Sequence, residues 1–541
     1  MKTHIDLLKI KPGLILFYLT LISLSGIITC SDTDRSTGLT PREITEVNDG
    51  SQHGPMGPIP DGPGLEELPL LIGDPATANP LPPKDMPEHP YLAVSGGVHV
   101  DGYNTDVSDW EGPLGRDPEV FSRSMGVIGG EPGLGICLMR AFHPDDSVSS
   151  ICYYVADLSG QLVTLGMDLV LFDPVTLEPL DFYATGEVTL DVSSPGDMSG
   201  VYFYVDNRGR AVVASPGNTI RIVEPGLSEG IPRWKTEIVL DLSDDLPEDA
   251  GNLIAVGPDF QGNIWFATQL GVIGYFETTK QRIYTVKLKG EKFENAFSTA
   301  PDGIYAATDY ALYRFEIDTA TGSPHYIWRQ GYERATQEKP GMLSRGTGTT
   351  PTLLGDDLVA LTDNADEQVN LLVFRRLSGE EICRIPLFNP GESVVEISPI
   401  GYRDAGGSFE SVIVQNNYNA PTIYSDYTSL ATGLVRVDVL PDRSGCIEVW
   451  SNDDFPATTV PKLSTATGLI YTYTQLLDTA VDRAWYLTAV DFRTGETKFM
   501  IRAGTGTLKH NYFATTEIGP HGIVYQGVVG GIIAARDGNN F

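Results

Sequence analysis

One short strand pattern returns eight times in the chain: Ile151-Cys-Tyr-Tyr-Val, Ala211-Val-Val-Ala-Ser, Ile264-Trp-Phe-Ala-Thr, Ile304-Tyr-Ala-Ala-Thr, Leu358-Val-Ala-Leu-Thr, Val412-Ile-Val-Gln-Asn, Leu469-Ile-Tyr-Thr-Tyr and Ile523-Val-Tyr-Gln-Gly. Successive copies start about 60, 53, 40, 54, 54, 57 and 54 residues apart. Such a period holds four short strands and is too long for a helical solenoid, so the pattern predicts an all-β propeller of about eight four-stranded blades. The 40-residue interval between the third and fourth copies leaves a seven-bladed ring as the alternative. Most copies follow a turn such as Pro258-Asp259, Pro301-Asp302-Gly303, Gly355-Asp356-Asp357 or Pro520-His521-Gly522, as hairpins require. The eighth unit reaches Phe541 with room for about three strands, so residues roughly 91–125 are expected to supply the missing outer strand. Closing the ring in this way removes open sheet edges.

The propeller is assigned to residues 90–541. Before it, residues 1–29 read as an export signal: Lys2, Lys9 and Lys11 precede an apolar run from Leu14 to Thr29 that is short for a membrane span. Ile27-Ile28-Thr29-Cys30 resembles the box of bacterial lipoproteins, which implies lipidation of Cys30 and a place in the bacterial cell envelope. Thr29 departs from the small residue that box prefers, so ordinary cleavage and release, or an uncleaved anchor, stay open. Residues 30–89 are rich in Pro, Gly and acidic side chains and lack apolar periodicity, and they are expected to form a disordered spacer.

Charge narrows the partners. With 37 basic and 71 acidic residues the formal net charge is −34, which disfavours nucleic acid and anionic lipid headgroups and keeps an exported protein soluble. Export also permits disulfides. Cys137 and Cys152 flank Pro144-Asp145 symmetrically, so a hairpin there sets them opposite one another as a cross-strand disulfide. Cys383 and Cys446 follow equivalent turns in successive repeats; they pair if adjacent outer strands approach, and otherwise stay as buried thiols.

The segment Ala489-Val-Asp491-Phe-Arg-Thr494-Gly495-Glu-Thr-Lys-Phe499 resembles the blade motif of the quinoprotein alcohol dehydrogenase-like (PQQ-like repeat) propellers, with Phe499 where the family has tryptophan. Echoes stand at Phe172-Asp173-Pro-Val-Thr176 and Ile317-Asp318-Thr-Ala-Thr321-Gly322. The resemblance implies a turn between the third and fourth strands, with Asp and Thr capping the backbone and Gly at positive φ. Quinone dehydrogenases of that family also carry adjacent cysteines and a Trp-Asp pair at the cofactor; this chain has neither, so PQQ is not expected. From Arg345 to Asp537 the chain is also similar to uncharacterised bacterial exported propellers, through Gly348-Thr349-Thr350-Pro351-Thr352, Thr362-Asp363-Asn364 and Pro461 to Tyr471.

Propeller ligands commonly sit where the loops between second and third strands, and those leading into the next blade, open around the channel. That frame gathers Asp363, Asn364, Asp366 and Glu367, then Asn416, Asn417, Tyr418 and Asn419, then Lys509, His510, Asn511 and Tyr512. Carboxylates and amides of this kind fit a hard cation, so Ca²⁺ is a possible cofactor with Asp363, Asp366 and Asp101 as ligands; the same residue types also build ordinary turns. A second cluster runs from His99 through Asp101, Tyr103 and Asn104 to Asp106, read as an extended strand presenting His99, Asp101 and Tyr103 on one face. It could serve a transition metal or general-base chemistry, or be a polar edge strand that closes the ring. No Gly-x-Ser-x-Gly elbow is present. Gly126, Gly129 and Gly130, like Gly346 and Gly348, read as tight turns near a crowded axis.

The expectation is an exported, membrane-tethered binding or scaffold module that takes a partner protein, glycan or small molecule on the channel face. The competing reading is a metal-assisted hydrolase or lactonase, or a divergent oxidoreductase, built on Asp363, Asn416, His510, His99 and Asp101.

Overall fold

The computed structural model describes residues 39–44, 57–125, 127–128, 131–132, 135–159, 162–191, 200–420, 430–476 and 483–538. Cys30, the export signal and Gly126, Gly129 and Gly130 lie outside them. The chain is an eight-bladed β-propeller. Blade 1 runs from Gly135 to Asp191, blade 2 from Tyr204 to Asp241, blade 3 from Leu253 to Lys287 and blade 4 from Phe293 to Gly331. Blade 5 runs from Thr352 to Pro386, blade 6 from Ile400 to Pro456 and blade 7 from Lys462 to Thr505. Blade 8 combines Thr516–Ile518, Val524–Val528 and Gly531–Arg536 with Glu119–Ser124 as its outer strand, so an N-terminal strand closes the ring.

Each of the eight recurring segments contributes to the second strand of its blade. These strands lie between sheets on both sides, which is why they read as continuous apolar runs: Ala211–Ser215, Leu358–Thr362 and Val524–Val528 are buried at every position. The short third interval reflects brief loops around a complete blade 3, whose four strands pair in order. Packing runs from blade to blade. Between blades 2 and 3, Ile220, Ile222 and Leu240 meet Leu253, Phe266 and Phe276, each burial worth roughly 1.5–3 kcal/mol.

The turn chemistry repeats as well. Asp173, Asp318 and Asp491 each accept from the backbone N–H and the hydroxyl of the threonine three residues on, at 2.8–3.1 Å. Gly322 and Gly495 follow with φ of 77° and 74°, while Leu177 takes the corresponding place in blade 1 with φ of 58°. Phe499 packs at the junction of blades 7 and 8. Trp450, from the outer strand of blade 6, donates to the Phe492 carbonyl of blade 7 at 2.9 Å and occupies the space a Cβ at Gly495 would need. Trp328 of blade 4 repeats this against Arg376 and Gly379 of blade 5.

The expected spacer is corrected from Gly57 onward, because this stretch is laid against the propeller. Leu71–Gly73 pairs with the outer strand of blade 7, Leu81 and Asn79 donate to the turn of blade 7 at Thr465 and Thr467, and Asp85 donates to Arg403 of blade 6. Its backbone groups are satisfied by neighbouring edges and turns, so an apolar period is not needed to hold it. A further strand, Leu39–Glu43, extends the outer edge of blade 2.

Cys137 and Cys152 are paired across the first two strands of blade 1, and Cys383 and Cys446 link the outer strands of blades 5 and 6. The second link spans 63 residues of chain. Replacing Cys383 and Cys446 together by serine is expected to lower stability by up to about 4 kcal/mol through restored loop entropy. Guanidinium denaturation reads this as a lower midpoint, and an unchanged midpoint would contradict it.

Candidate functional site

The channel has two ends. On the turn face lie the turns joining first to second and third to fourth strands; on the mouth face lie the 2–3 loops and the connections between blades. The turn-face end is filled by the chain itself. Leu92–Gly97 pairs with the innermost strand of blade 2, Val107–Ser108 pairs with that of blade 7, and Val98 to Asp106 crosses between them. Innermost strands of four consecutive blades donate to this crossing loop. Thr299, Leu353, Gly401 and Leu463 give their N–H groups to the carbonyls of Gly102, Tyr103, Thr105 and Asp106 at 2.7–3.0 Å.

This corrects the expectation of an extended strand from His99 to Asp106. Val100, Asn104 and Asp106 have φ of 74°, 52° and 55°, so the segment coils and its polar side chains point to several blades instead of one face. Asp101 accepts from Lys84 Nζ at 2.8 Å and from the Thr105 hydroxyl at 2.5 Å and caps Tyr103 and Thr105. His99 Nδ1 lies 3.1 Å from Asp106, and its Nε2 stands 3.4 Å from the hydroxyls of both Thr350 and Ser398. Asp106 also receives Lys462 Nζ at 2.5 Å, and that ammonium lies 3.3 Å from Glu517. Burial pushes Glu517 upward, opposed by Lys462 and Arg140, and burial lowers Arg140 to about 10. The axis therefore holds a sealed network of two cations, two carboxylates and one imidazole.

Toward the mouth, the connection from blade 4 to blade 5 forms a strap. Ser344 donates its hydroxyl to Glu294 and its N–H to Glu396 at 3.4 Å, and Asn364 Nδ2 reaches Glu396 at 3.0 Å and the Ser344 carbonyl at 3.0 Å. Asn295 Nδ2 donates to the Thr347 carbonyl at 3.1 Å. Gly346 and Gly348 admit this close passage: a Cβ at Gly346 would strike the Asp309 backbone, and one at Gly348 would strike Glu396. Burial lifts Glu396 to about 8, helped by the neighbouring Glu294 carboxylate; loss of hydration against the strap lifts Glu294, at the exposed rim, to about 7. Glu294 and Glu396 were not singled out from sequence. The one available signal was a lone charge inside the apolar run Val394-Val395-Glu396-Ile397.

The remaining candidates do stand on the mouth face, and nearly all are spent on holding loops together. Asn364 accepts from Val395, Asn416 from Val394 and Asn417 from Glu396, so the three amides staple 2–3 loops to the connection between blades 5 and 6. Tyr418 donates its N–H to Asn416. Asp363 is fully buried and takes Asn370 N at 2.8 Å, Asn370 Nδ2 at 3.1 Å and Arg384 at 3.3 Å. Asp366 is exposed and caps Thr336 at 2.7 Å, which holds its carboxyl below the usual range. His510 is buried edge-on against Trp485, accepts from Tyr512 N at 2.9 Å and is lowered by burial to about 3. Asn511 is buried with its Oδ1 on Thr458 at 2.7 Å.

These residues do not fit Ca²⁺ or a transition metal. Asp363, Asp366 and Asp101 each cap a different loop, and no group of three His, Cys, Asp or Glu converges among the described residues.

No protein-family model matches the chain. An uncharacterized protein of Archaeoglobus fulgidus is 25% identical over 329 residues, a match that covers 53% of this chain and 62% of that relative, less than two thirds of its length. Solved structures with a similar fold include BamB from Moraxella catarrhalis, at 14% identity and a TM-score of 0.40 over 75% of this chain and 95% of that one. The WD40 domain of SCAP from fission yeast follows at 10% identity and a TM-score of 0.39, over 74% and 95%. A putative 6-phosphogluconolactonase from Bacteroides fragilis is 11% identical with a TM-score of 0.36, over 70% and 98%. These are likenesses of fold.

Two outcomes follow from the axis and the strap. Lys462→Met removes the ammonium between Asp106 and Glu517 and is expected to cost about 3–5 kcal/mol by denaturant titration, whereas Lys462→Met with Asp106→Asn costs less than the sum of the single changes. Because Glu396 is raised in the folded state, its contribution is complete below the ordinary carboxylate range and fades as pH rises through about 8. Glu396→Gln should flatten that decline in melting temperature between pH 5 and 9; an unaltered slope would contradict the assignment.

Proposed function

We propose that this protein is a binding module held outside the cytoplasmic membrane by its N-terminus and engaging a protein, glycan or small-molecule partner on the mouth face. The observation that supports this most is the closed turn-face end: the chain's own Leu92 to Ser108 segment fills it, which favours the side of the 2–3 loops as the face a partner meets. Asn364, Asn416 and Asn417 staple the described loops of blades 5 and 6 to one another, and preorganised surfaces bind with less ordering cost. Two disulfides accord with an oxidising compartment, in line with export. An enzyme built on Asp363, Asn416, His510, His99 and Asp101 has less support, since each of these groups is committed to protein partners.

The test places a photo-crosslinking residue at Asp366, on the mouth face, and as a control at Asp442, in an outer turn of blade 6, in cells producing the full chain. A discrete adduct from position 366 alone supports the proposal. Adducts from position 442 alone, equal adducts from both, or none from either would overturn it.

A further inference from the structure

On the turn face, far from the mouth, blades 2 and 3 part to leave a cavity of about 260 Å³. Val212, Ile222 and Ile264, with Leu39 from the added N-terminal strand, give it an apolar part, and Asp206, Asn207 and Arg210 line it as well. At the rim Arg208 stands in the turn between the first two strands of blade 2. The turn itself does not need an arginine. Asp206 accepts from the N–H groups of Arg208 and Arg210 at 2.9 Å each, and in blade 3 Asp259 builds the equivalent turn with Gln261 and Asn263 at 2.9 and 2.8 Å. The neutral Gln261 thus fills the place of Arg208.

The rim charges separate into a pair and a remainder. Arg210 binds the Asp206 carboxylate through Nε at 2.7 Å, which neutralises both. The Arg208 guanidinium has no carboxylate partner among the described residues, in a protein whose formal charge is −34. A cation without a carboxylate partner beside a partly branched-aliphatic cleft is complementary to an anionic head carried on a short hydrocarbon tail. The volume falls just below the roughly 300 Å³ at which pockets for drug-sized ligands begin, so it suits a single chain and not a two-chain lipid.

We infer that the cleft between blades 2 and 3 is a binding site for a medium-chain carboxylate, with the head group on Arg208 and the tail against Val212, Ile222 and Ile264. The inference is independent of what binds at the mouth.

Sodium octanoate titrated into the full-length protein in lipid nanodiscs, with empty nanodiscs as reference, tests it by calorimetry. Saturable binding is expected, weakened at least tenfold by Arg208→Gln and by Thr278→Trp, which narrows the rim, and octylamine should not bind. Arg208 is exposed, so R208Q is expected to fold normally, and its melting curve checks this. The proposal is overturned if octanoate shows no saturable binding at millimolar concentration, if R208Q binds as well as the native protein, or if a short peptide ending in leucine binds more tightly than octanoate.

Discussion

Four N–H groups aimed inward from four different blades set the problem that the rest of this structure answers. Thr299, Leu353, Gly401 and Leu463 belong to innermost strands, which have no neighbouring strand on the axial side, and a buried N–H without an acceptor costs about 1–3 kcal/mol. The loop through Gly102 to Asp106 supplies the four acceptors. Lys462 adds a larger demand, because its ammonium is fully buried and requires a counter-ion; Asp106 on the same loop provides it, with Glu517 on the other side. The loop is therefore part of the propeller's core.

From that requirement the course of the chain from Gly57 to Ser124 follows. The chain must reach the axis and return, and it does so by laying Gly57 to Pro90 along blades 7 and 6, running beside blade 2, crossing the axis and leaving along blade 7. It then emerges where blade 8 lacks an outer strand, and Glu119–Ser124 fills that place. Filling the axis and closing the ring are thus consecutive tasks of one continuous stretch. The turn-face end of the channel is closed by this stretch, which is the basis for proposing the mouth as the binding face.

Much of this was legible in the sequence, for reasons tied to particular residues. Second strands are covered on both faces, so their apolar runs announced all eight blades, and the Asp-x-x-Thr turns at Asp173, Asp318 and Asp491 marked the hairpins. The symmetry of Cys137 and Cys152 about Pro144 matches their cross-strand link. Residues 57–89 were not legible because composition reports whether a segment can bury apolar surface, and this one is held by backbone hydrogen bonds to edges already present. His99 to Asp106 looked like a strand because its polar residues alternate, a pattern blind to the positive φ at Val100, Asn104 and Asp106. The asparagines of the mouth lie on loops between second and third strands, where their amides serve as staples, a role that depends on connections more than twenty residues away in sequence. Glu294 belongs to blade 4 and Glu396 to the connection between blades 5 and 6, and no local pattern could bring them together.

Native-state hydrogen exchange of the amides of Thr299, Leu353, Gly401 and Leu463 tests the central claim most directly. If the crossing loop belongs to the core, these four amides exchange as slowly as those of the second strands and open only with global unfolding. If they exchange fast while the second strands remain protected, the loop is a loose insertion, and the closed turn-face end with it is refuted.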